Sequence, residues 1–297
     1  VARRILKAKQ KGAKIIVCDP RVIESARIAD IHLQLKNGSN MALVNAMLHV
    51  LIEENLYDKE YVAKYSEGFD KMWETVSKYT PENTAEITGL DPKVVREAVR
   101  MYAASPCSTI LWGMGVTQWG QGVETCMGLS NIAVITGNLG RPNVGVGPVR
   151  GQNNVQGSCD MGAVPGQFPG YQSVEDPEIR AKFEKAWGVE KLPAKKGIPI
   201  TEVGHNIEEG KIKAVYLFGE DPFQTEPDLA AVRHAYSQLE LFIAQDIFMT
   251  KSVAEADVVF PATSWGEHEG VYSAADRGFQ RFYKAVEPKG DVKPDWE

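Results

Sequence analysis

The chain has 297 residues, of which 43% are hydrophobic and 24% charged, as is ordinary for a globular protein with a core of normal size. This length allows one large domain or two domains of about 150 residues. The net charge is −6 and the sequence has no cluster of lysine and arginine, so nucleic-acid binding is not expected. No apolar run reaches the ~18 residues needed to cross a bilayer, so we expect no direct membrane span.

Cysteine and histidine give no sign of a metal site. The four cysteines, at positions 18, 107, 126 and 159, form no C-x-x-C pair, and the five histidines have no metal-binding spacing. We therefore identify no metal ligand in this chain. We expect buried, reduced thiols and a cytoplasmic protein.

Helices and strands alternate in the first half of the chain. A helix is predicted over 2–11, followed by a buried parallel strand over 13–18. A turn at 36–40 leads to a strongly helical pattern over 41–54. Further helices are expected near 58–65, near 69–79, from Asp91-Pro92 onwards and over 125–136, with a strand over 108–112. Because a helix precedes the first strand, we expect an earlier strand and turn to belong to the same domain.

The second half repeats this alternation after a long irregular segment. Residues 137–172 are predicted to form a loop, and 173–212 is more polar and helical in parts. Strands are expected over 214–218, 239–244 and 257–260, and 284–297 is loop-like. The pattern predicts an α/β protein with two parallel-sheet domains, over 1–149 and 150–297, in which ligands such as nucleotides would lie at the carboxyl ends of the strands.

Within the loop, residues 145–162 have an unusual composition. Glycine recurs five times, and a single cation, Arg150, is followed by the amides Gln152, Asn153, Asn154 and Gln156. One guanidinium with several amide donors suits a polar, anionic ligand. The alternative is a solvated surface loop.

Polar residues follow four of the predicted strands. The segments are 18–21, 113–118, 219–222 and 245–250, and their acidic members are Asp19, Glu220, Asp221 and Asp246. Carboxylates at strand ends can accept hydrogen bonds from ribose hydroxyls or a guanine edge. The alternative is that the Asp-Pro pairs only make turns. The sequence has neither a G-x-G-x-x-G nor a Walker A motif.

The run Arg150-Gly151-Gln152-Asn153-Asn154-Val155-Gln156-Gly157 closely resembles the substrate loop of formate dehydrogenase alpha subunits, in the molybdopterin oxidoreductase superfamily. The run 265–270 and the segment from 256 to 280 resemble the same branch, and the similarity covers essentially the whole chain. The resemblance implies that Arg150 lies beside the metal and faces the substrate carboxylate. It also places Gly151 and Gln152 at the cofactor, where Gln152 could hydrogen-bond a pterin or the substrate.

The resemblance further implies two molybdopterin guanine dinucleotides around one molybdenum or tungsten atom, one against each α/β domain. Contacts with the first would come from Cys18, Asp19, Arg21, Gly38, Asn40, Met114 and Gln118. Many relatives have aspartate at the position of Asn40. Contacts with the second would come from Gly219, Glu220, Asp221, Gln245, Asp246 and Thr250.

The implied reaction is the reversible oxidation of formate to carbon dioxide, with electrons passed to iron–sulfur clusters and iron–sulfur partner subunits. Complete relatives also have an N-terminal 4Fe-4S domain, a cysteine or selenocysteine that binds the metal, and a C-terminal capping domain. None of these is found here, so we expect the chain to be the central part of a larger catalytic subunit. Alternatives are another bis-molybdopterin enzyme, such as a nitrate reductase, and a structural iron–sulfur subunit like that of complex I, without a pterin.

Overall fold

The computed structural model describes residues 1–274 and 278–297. Within them the chain divides into two compact units, residues 1–151 and residues 152–297. Each unit has apolar cores of its own. We describe the two units separately.

The first unit (unit 1) combines short parallel sheets with a helical core. Its helices are α1 (Ala2–Gln10), α2 (Glu24–Arg27), α3 (Asn40–Glu53), α4 (Lys59–Tyr65), α5 (Phe69–Val76), α6 (Pro81–Thr88), α7 (Pro92–Ala104), α8 (Met114–Thr117) and α9 (Gly122–Ile135). Its strands are β1 (Ile16–Cys18), β2 (Ile31–Leu33), β3 (Thr109–Trp112) and β4 (Gly145–Pro148). Strand β1 pairs in parallel with β2, and β3 pairs in parallel with β4. Leu48 and Leu51 of α3 and Ile132 of α9 are almost completely buried in the main core.

The second unit (unit 2) contains a parallel sheet and two antiparallel hairpins. Its helices are α10 (Val155–Asp160), α11 (Pro177–Trp187), α12 (Ile200–Glu208), α13 (Pro222–Thr225) and α14 (Leu229–Tyr236). Its strands are β5 (Gln167–Phe168), β6 (Gln172–Ser173), β7 (Ala214–Phe218), β8 (Leu241–Asp246), β9 (Val258–Pro261), β10 (Gly270–Ser273) and β11 (Phe279–Phe282). The parallel sheet has the order β7-β8-β9, and the hairpins are β5-β6 and β10-β11.

The α/β class with parallel sheets is confirmed. The predicted helices in 41–54 and from Asp91 are α3 and α7, and the Asp91 side chain caps α7 by accepting a hydrogen bond from the Lys93 backbone N–H. The strand predicted over 214–218 is β7, and the polar segment 173–212 contains α11 and α12.

Three expectations about secondary structure are wrong. The first strand starts at Ile16 rather than residue 13, and it is not buried as expected, since Ile16 and Val17 are half-buried and Cys18 is exposed. Strand β8 lies two residues later than expected and includes Gln245 and Asp246. The segment 137–172 is not one irregular loop, because it contains β4, α10 and β5. Helix α6 and the two hairpins were not predicted. Residues 275–277, which belong to the segment 256–280 that resembles formate dehydrogenases, lie outside the described residues.

None of the helices in the described parts of the chain combines the length and the apolar character that crossing a bilayer requires.

Candidate functional site

In unit 1, the loop after β1 is held by strand β2 and its neighbours. The Asp19 carboxylate accepts a hydrogen bond from the Arg21 backbone N–H (2.8 Å), which forms a tight turn. The His32 Nε2 lies 2.8 Å from the Asp19 carbonyl oxygen, and the Gln34 amide donates to the Pro20 carbonyl (3.0 Å). Cys18 and Arg21 are exposed at this edge of the sheet.

A second group of predicted residues meets at the start of α3. The Asn40 side-chain amide donates to the Gly115 carbonyl (3.2 Å), and the Trp119 indole N–H donates to the same oxygen (2.9 Å). A β-carbon on Gly38 would lie 3.5 Å from the Trp119 ring. Gly38 and Asn40 are therefore brought to the α8 turn, where Met114 and Gln118 are exposed. The sequence analysis missed Trp119, although it directly follows Gln118.

Arg150 follows the carboxyl end of β4. Strand β4 pairs with β3 from Thr109↔Gly145 to Trp112↔Pro148, and the Val149 N–H then donates to the Trp112 carbonyl (2.7 Å). Arg150 is exposed two residues beyond the strand, at the edge where β3 also ends. Parallel strands place their carboxyl ends at one edge of a sheet, and that edge is where α/β proteins bind ligands.

The amides that follow Arg150 have two different environments. Gln152 and Asn153 are exposed, and a β-carbon on Gly151 would meet no atom within 4 Å. In contrast, the Asn154 amide is bonded to the backbone of β10, and the Gln156 amide donates to Asp160 (2.7 Å) and Tyr171 (3.3 Å). Of the amide side chains in this segment, the exposed ones thus lie before residue 154.

Unit 2 has a pocket of about 370 Å³ beside the carboxyl ends of β7 and β8. All six residues predicted to contact the second dinucleotide line this pocket, and they are Gly219, Glu220, Asp221, Gln245, Asp246 and Thr250. Ile247, Phe248, Ala262 and Asp295 complete the lining. The volume lies within the range of about 300–1,000 Å³ that is usual for small-ligand sites.

Asp221 organises the wall of this pocket. One of its carboxylate oxygens accepts hydrogen bonds from the Ser252 backbone N–H (2.9 Å) and hydroxyl (2.6 Å). The completely buried Ser252 hydroxyl in turn accepts from the Phe223 N–H (3.0 Å). Burial alone would raise the pKa of Asp221, but the hydrogen bonds from Ser252 and from the Lys251 backbone outweigh it and hold this pKa below its usual value. Asp221 is therefore ionised at neutral pH.

Gln245 and Asp295 form the floor of the pocket. The Tyr216 hydroxyl donates to the Gln245 side-chain oxygen (2.5 Å), and the Gln245 amide nitrogen donates to the Asp295 carboxylate (2.8 Å). A carboxylate can only accept, so it fixes which end of the amide faces it. Asp295 was not predicted as a site residue, because 50 residues separate it from Gln245 and no local pattern marks it.

The pocket is rich in hydrogen-bond acceptors. Four acidic residues line it, and they are Glu220, Asp221, Asp246 and Asp295. One oxygen of Glu220 accepts from the Thr225 hydroxyl (2.8 Å), whereas the other, Oε2, is buried and has no hydrogen-bond partner among the described residues. A buried carboxylate oxygen without a donor is costly. The site therefore suits a ligand that donates hydrogen bonds, such as a purine base or a ribose, and disfavours a phosphate.

Another cavity, of about 430 Å³, lies along α9 in unit 1. It is lined by Thr117, Gly122, Val123, Cys126, Met127, Ser130 and Asn131. This cavity is larger than the pocket in unit 2, but it has no charged side chain and contains none of the predicted site residues. We therefore place the candidate chemistry in the smaller pocket and at the strand ends.

The cysteines are more accessible than expected. Cys18 and Cys107 are exposed and Cys126 and Cys159 are half-buried, so the expectation of buried thiols is wrong. Within 1–274 and 278–297, no three His, Cys, Asp or Glu side chains are grouped closely enough to hold a metal ion.

The parallel sheets, with polar residues at the carboxyl ends of their strands, place the chain in the class of α/β proteins that bind ligands at this edge of the sheet. The family model described as molybdopterin oxidoreductase matches residues 1–297, so the chain belongs to the molybdopterin oxidoreductase family. This family assignment supports a molybdopterin cofactor.

Among its relatives, formate dehydrogenase H of Escherichia coli is 61% identical over all 297 residues, which correspond to 42% of that protein. The F420-dependent formate dehydrogenase alpha subunit of Methanocaldococcus jannaschii is 46% identical, again over the whole chain and 43% of that protein. The predicted resemblance to formate dehydrogenases is confirmed. The chain spans about two fifths of the length of these relatives.

Acetylene hydratase from Pelobacter acetylenicus has the same fold, with a TM-score of 0.78 over 99% of this chain and 43% of that one. The two sequences are 23% identical, so this likeness concerns the fold alone.

Proposed function

We propose that the chain is part of the catalytic subunit of a molybdenum- or tungsten-dependent formate dehydrogenase. The observation that carries the proposal is the run from Arg150 to Gly157, which places an exposed guanidinium and exposed amides just beyond the carboxyl end of β4. The relatives at 61% and 46% identity, both formate dehydrogenases, support it. A cytoplasmic location and iron–sulfur partner subunits belong to the same proposal.

Arg150 acts on the substrate in this proposal. Its planar guanidinium can hold the two oxygens of formate by parallel hydrogen bonds and remains charged at any working pH. Gln152 is the nearest exposed amide along the chain and donates either to the substrate or to a pterin. Arg150 and Gln152 would face the bound metal cofactor, which would supply the two-electron oxidation of formate to carbon dioxide and one proton.

The pocket of unit 2 is proposed to bind the guanine end of one molybdopterin guanine dinucleotide. Guanine presents adjacent N–H donors, and the pocket offers the carboxylates of Glu220, Asp246 and Asp295 as acceptors. The buried Glu220 Oε2, which has no donor among the described residues, supports this assignment most directly. The pyrophosphate would lie outside the acidic pocket, since like charges repel.

In unit 1, the residues named for the first dinucleotide are proposed to hold the other molybdopterin guanine dinucleotide. Asp19 and Arg21 lie after β1, whereas Gly38, Asn40, Met114 and Gln118 lie around the start of α3 and the α8 turn. The Asn40 amide oxygen can accept an N–H from guanine while its nitrogen bonds to Gly115. A 4Fe-4S cluster is proposed for a part of the longer protein outside this sequence.

The test uses the natural full-length protein, purified anaerobically. We expect formate oxidation with an artificial electron acceptor, no nitrate reduction, and molybdenum or tungsten in the protein. Nitrate reduction without formate oxidation would assign another substrate to the same family. Protein without metal and guanine nucleotide would instead favour the structural, complex I-like alternative.

A further inference from the structure

The side chain of Asn154 joins the start of α10 to strand β10. Its amide nitrogen donates to the Val271 carbonyl (2.9 Å), and its amide oxygen accepts from the Ser273 N–H (3.0 Å). A carboxamide carries the same donor and acceptor as a peptide group. Val271 and Ser273 are two residues apart, so their backbone groups point to one edge of β10. Asn154 therefore pairs with this edge as one residue of a neighbouring strand would.

Strand β10 has room for this contact. Among the described strands, β10 pairs only with β11, so its other edge has no strand partner. An unpaired strand edge presents N–H and C=O groups that need hydrogen bonds. Asn154 satisfies one of each, and α10 packs against the same strand.

Two local features keep the Asn154 side chain in this position. The residue has φ +59°, a left-handed conformation that asparagine tolerates better than most residues. Gly157 is buried, and a β-carbon there would lie 2.3 Å from the Asn154 amide oxygen. Glycine at 157 thus leaves the space that the amide occupies. The Asn-Val-Gln-Gly sequence is accordingly a structural unit rather than a set of ligand donors.

We propose that Asn154 is a positioning residue that fixes the segment Arg150–Asn153 by anchoring its downstream end to β10. The proposal rests on the proposed function for its catalytic consequence. Only three residues separate Asn154 from Arg150. Each residue spans at most about 3.6 Å, so a fixed Asn154 keeps Arg150 close to it. Release of this anchor lets the segment sample many more conformations.

The test is Asn154→Gly in the natural full-length protein. Glycine adopts the left-handed conformation and removes only the amide. We expect hydrogen exchange of the Ser273 N–H and tryptic cleavage after Arg150 each to accelerate roughly tenfold, as the loss of two hydrogen bonds predicts. The matched control, Asn153→Gly, adds the same backbone freedom one position earlier and should keep both rates near those of the unmodified protein. Asn154→Asp retains the acceptor for Ser273 but sets a carboxylate oxygen against the Val271 carbonyl, so it should restore protection of the Ser273 N–H only in part.

The catalytic consequence is measured in the same preparations. We expect Asn154→Gly to lower kcat/KM for formate about tenfold at unchanged metal and guanine content, because orientation rather than cofactor binding is lost. Equal cleavage after Arg150 in both glycine variants, or an unchanged Ser273 exchange rate, would overturn the proposal. If the unmodified protein does not oxidise formate, the proposed function fails, whereas cleavage and exchange still decide whether Asn154 fixes the segment.

Discussion

The guanidinium of Arg150 offers a planar pair of N–H donors that a lysine ammonium group does not have. Arg150→Lys keeps the positive charge but loses the planar pair of donors. In the full-length enzyme we expect kcat/KM for formate to fall on the order of 10²-fold, by analogy with the loss of one preorganised donor. Metal and guanine content are measured alongside the rate. Activity lost in proportion to cofactor would assign Arg150 to cofactor binding, and wild-type kinetics would make it a surface residue.

Asp221 stabilises unit 2 through its hydrogen bonds with Ser252. Asp221→Ala leaves the completely buried Ser252 hydroxyl and N–H without their acceptor. We expect a loss of about 1–3 kcal/mol in the free energy of unfolding, the cost of leaving a buried donor unsatisfied. Urea unfolding of the purified protein measures it.

Two further variants separate the hydrogen bonds of Asp221 from its charge. Asp221→Asn keeps an acceptor oxygen and should lose less stability than Asp221→Ala. Glu255→Ala removes an exposed carboxylate three residues from Ser252 and should change stability little. If all three variants unfold at the same urea concentration, Asp221 does not organise the pocket wall.

At the scale of elements, the helices and strands that could be predicted are those with local signals in the sequence. Helices α3 and α7 were predicted because apolar spacing and the Asp91-Pro92 cap are written in neighbouring residues. Strand β4 was not predicted because its glycine-rich sequence has little intrinsic preference for a strand. The strand forms by pairing with β3, in which Thr109 is the partner of Gly145, 36 residues away in sequence. The contact of Asp295 with Gln245 was missed for the same reason, since long-range pairing leaves no local pattern.

An ionic cluster joins three helices of unit 1. The Arg96 guanidinium of α7 contacts Glu53 and Glu54 at the end of α3 and Glu82 of α6, and Arg100 also binds Glu54. Hydrogen bonds with Arg100 and Arg96 lower the pKa of Glu54, and those with Arg96 lower the pKa of Glu82. These carboxylates therefore stabilise the fold above their unfolded pKa, and this contribution is lost as the pH falls through the lowered folded values.

The expected pH dependence follows from that sign. The free energy of unfolding of unit 1 should vary little between about pH 7 and pH 5 and decrease below about pH 4.5, near the unfolded pKa of glutamate. Arg96→Met should lower stability at pH 7 by roughly 1–2 kcal/mol and flatten the decrease in acid, because several partly exposed pairs contribute a few tenths each. Urea unfolding at each pH, monitored by hydrogen exchange of the α3 and α7 amides, measures the pH dependence and the effect of Arg96→Met. An acid profile unchanged in Arg96→Met would show that other carboxylates control it.

At the scale of the whole molecule, two units with strand-end polar residues predict two separable nucleotide sites. The pocket of unit 2 has four carboxylates, whereas the group around Asn40 in unit 1 uses an amide and backbone. We therefore expect the two proposed sites to recognise a base with different chemistry. A charge placed in one should leave the other able to bind its ligand, as expected of residues without shared partners.

Glu220→Lys in the full-length protein tests this separation. The ammonium group replaces the acceptor Oε2 with donors, which oppose the N–H groups of guanine. Acid extraction and nucleotide chromatography should find guanine reduced from about two to about one per chain, as expected if each α/β unit holds one dinucleotide. Glu208→Lys makes the same charge reversal at an exposed position of unit 2 and should retain both. Full guanine content in Glu220→Lys would show that the base does not bind in this pocket. Loss of both guanines would mean that the two dinucleotides bind as one coupled unit, because a single unfavourable charge would then destabilise both sites together.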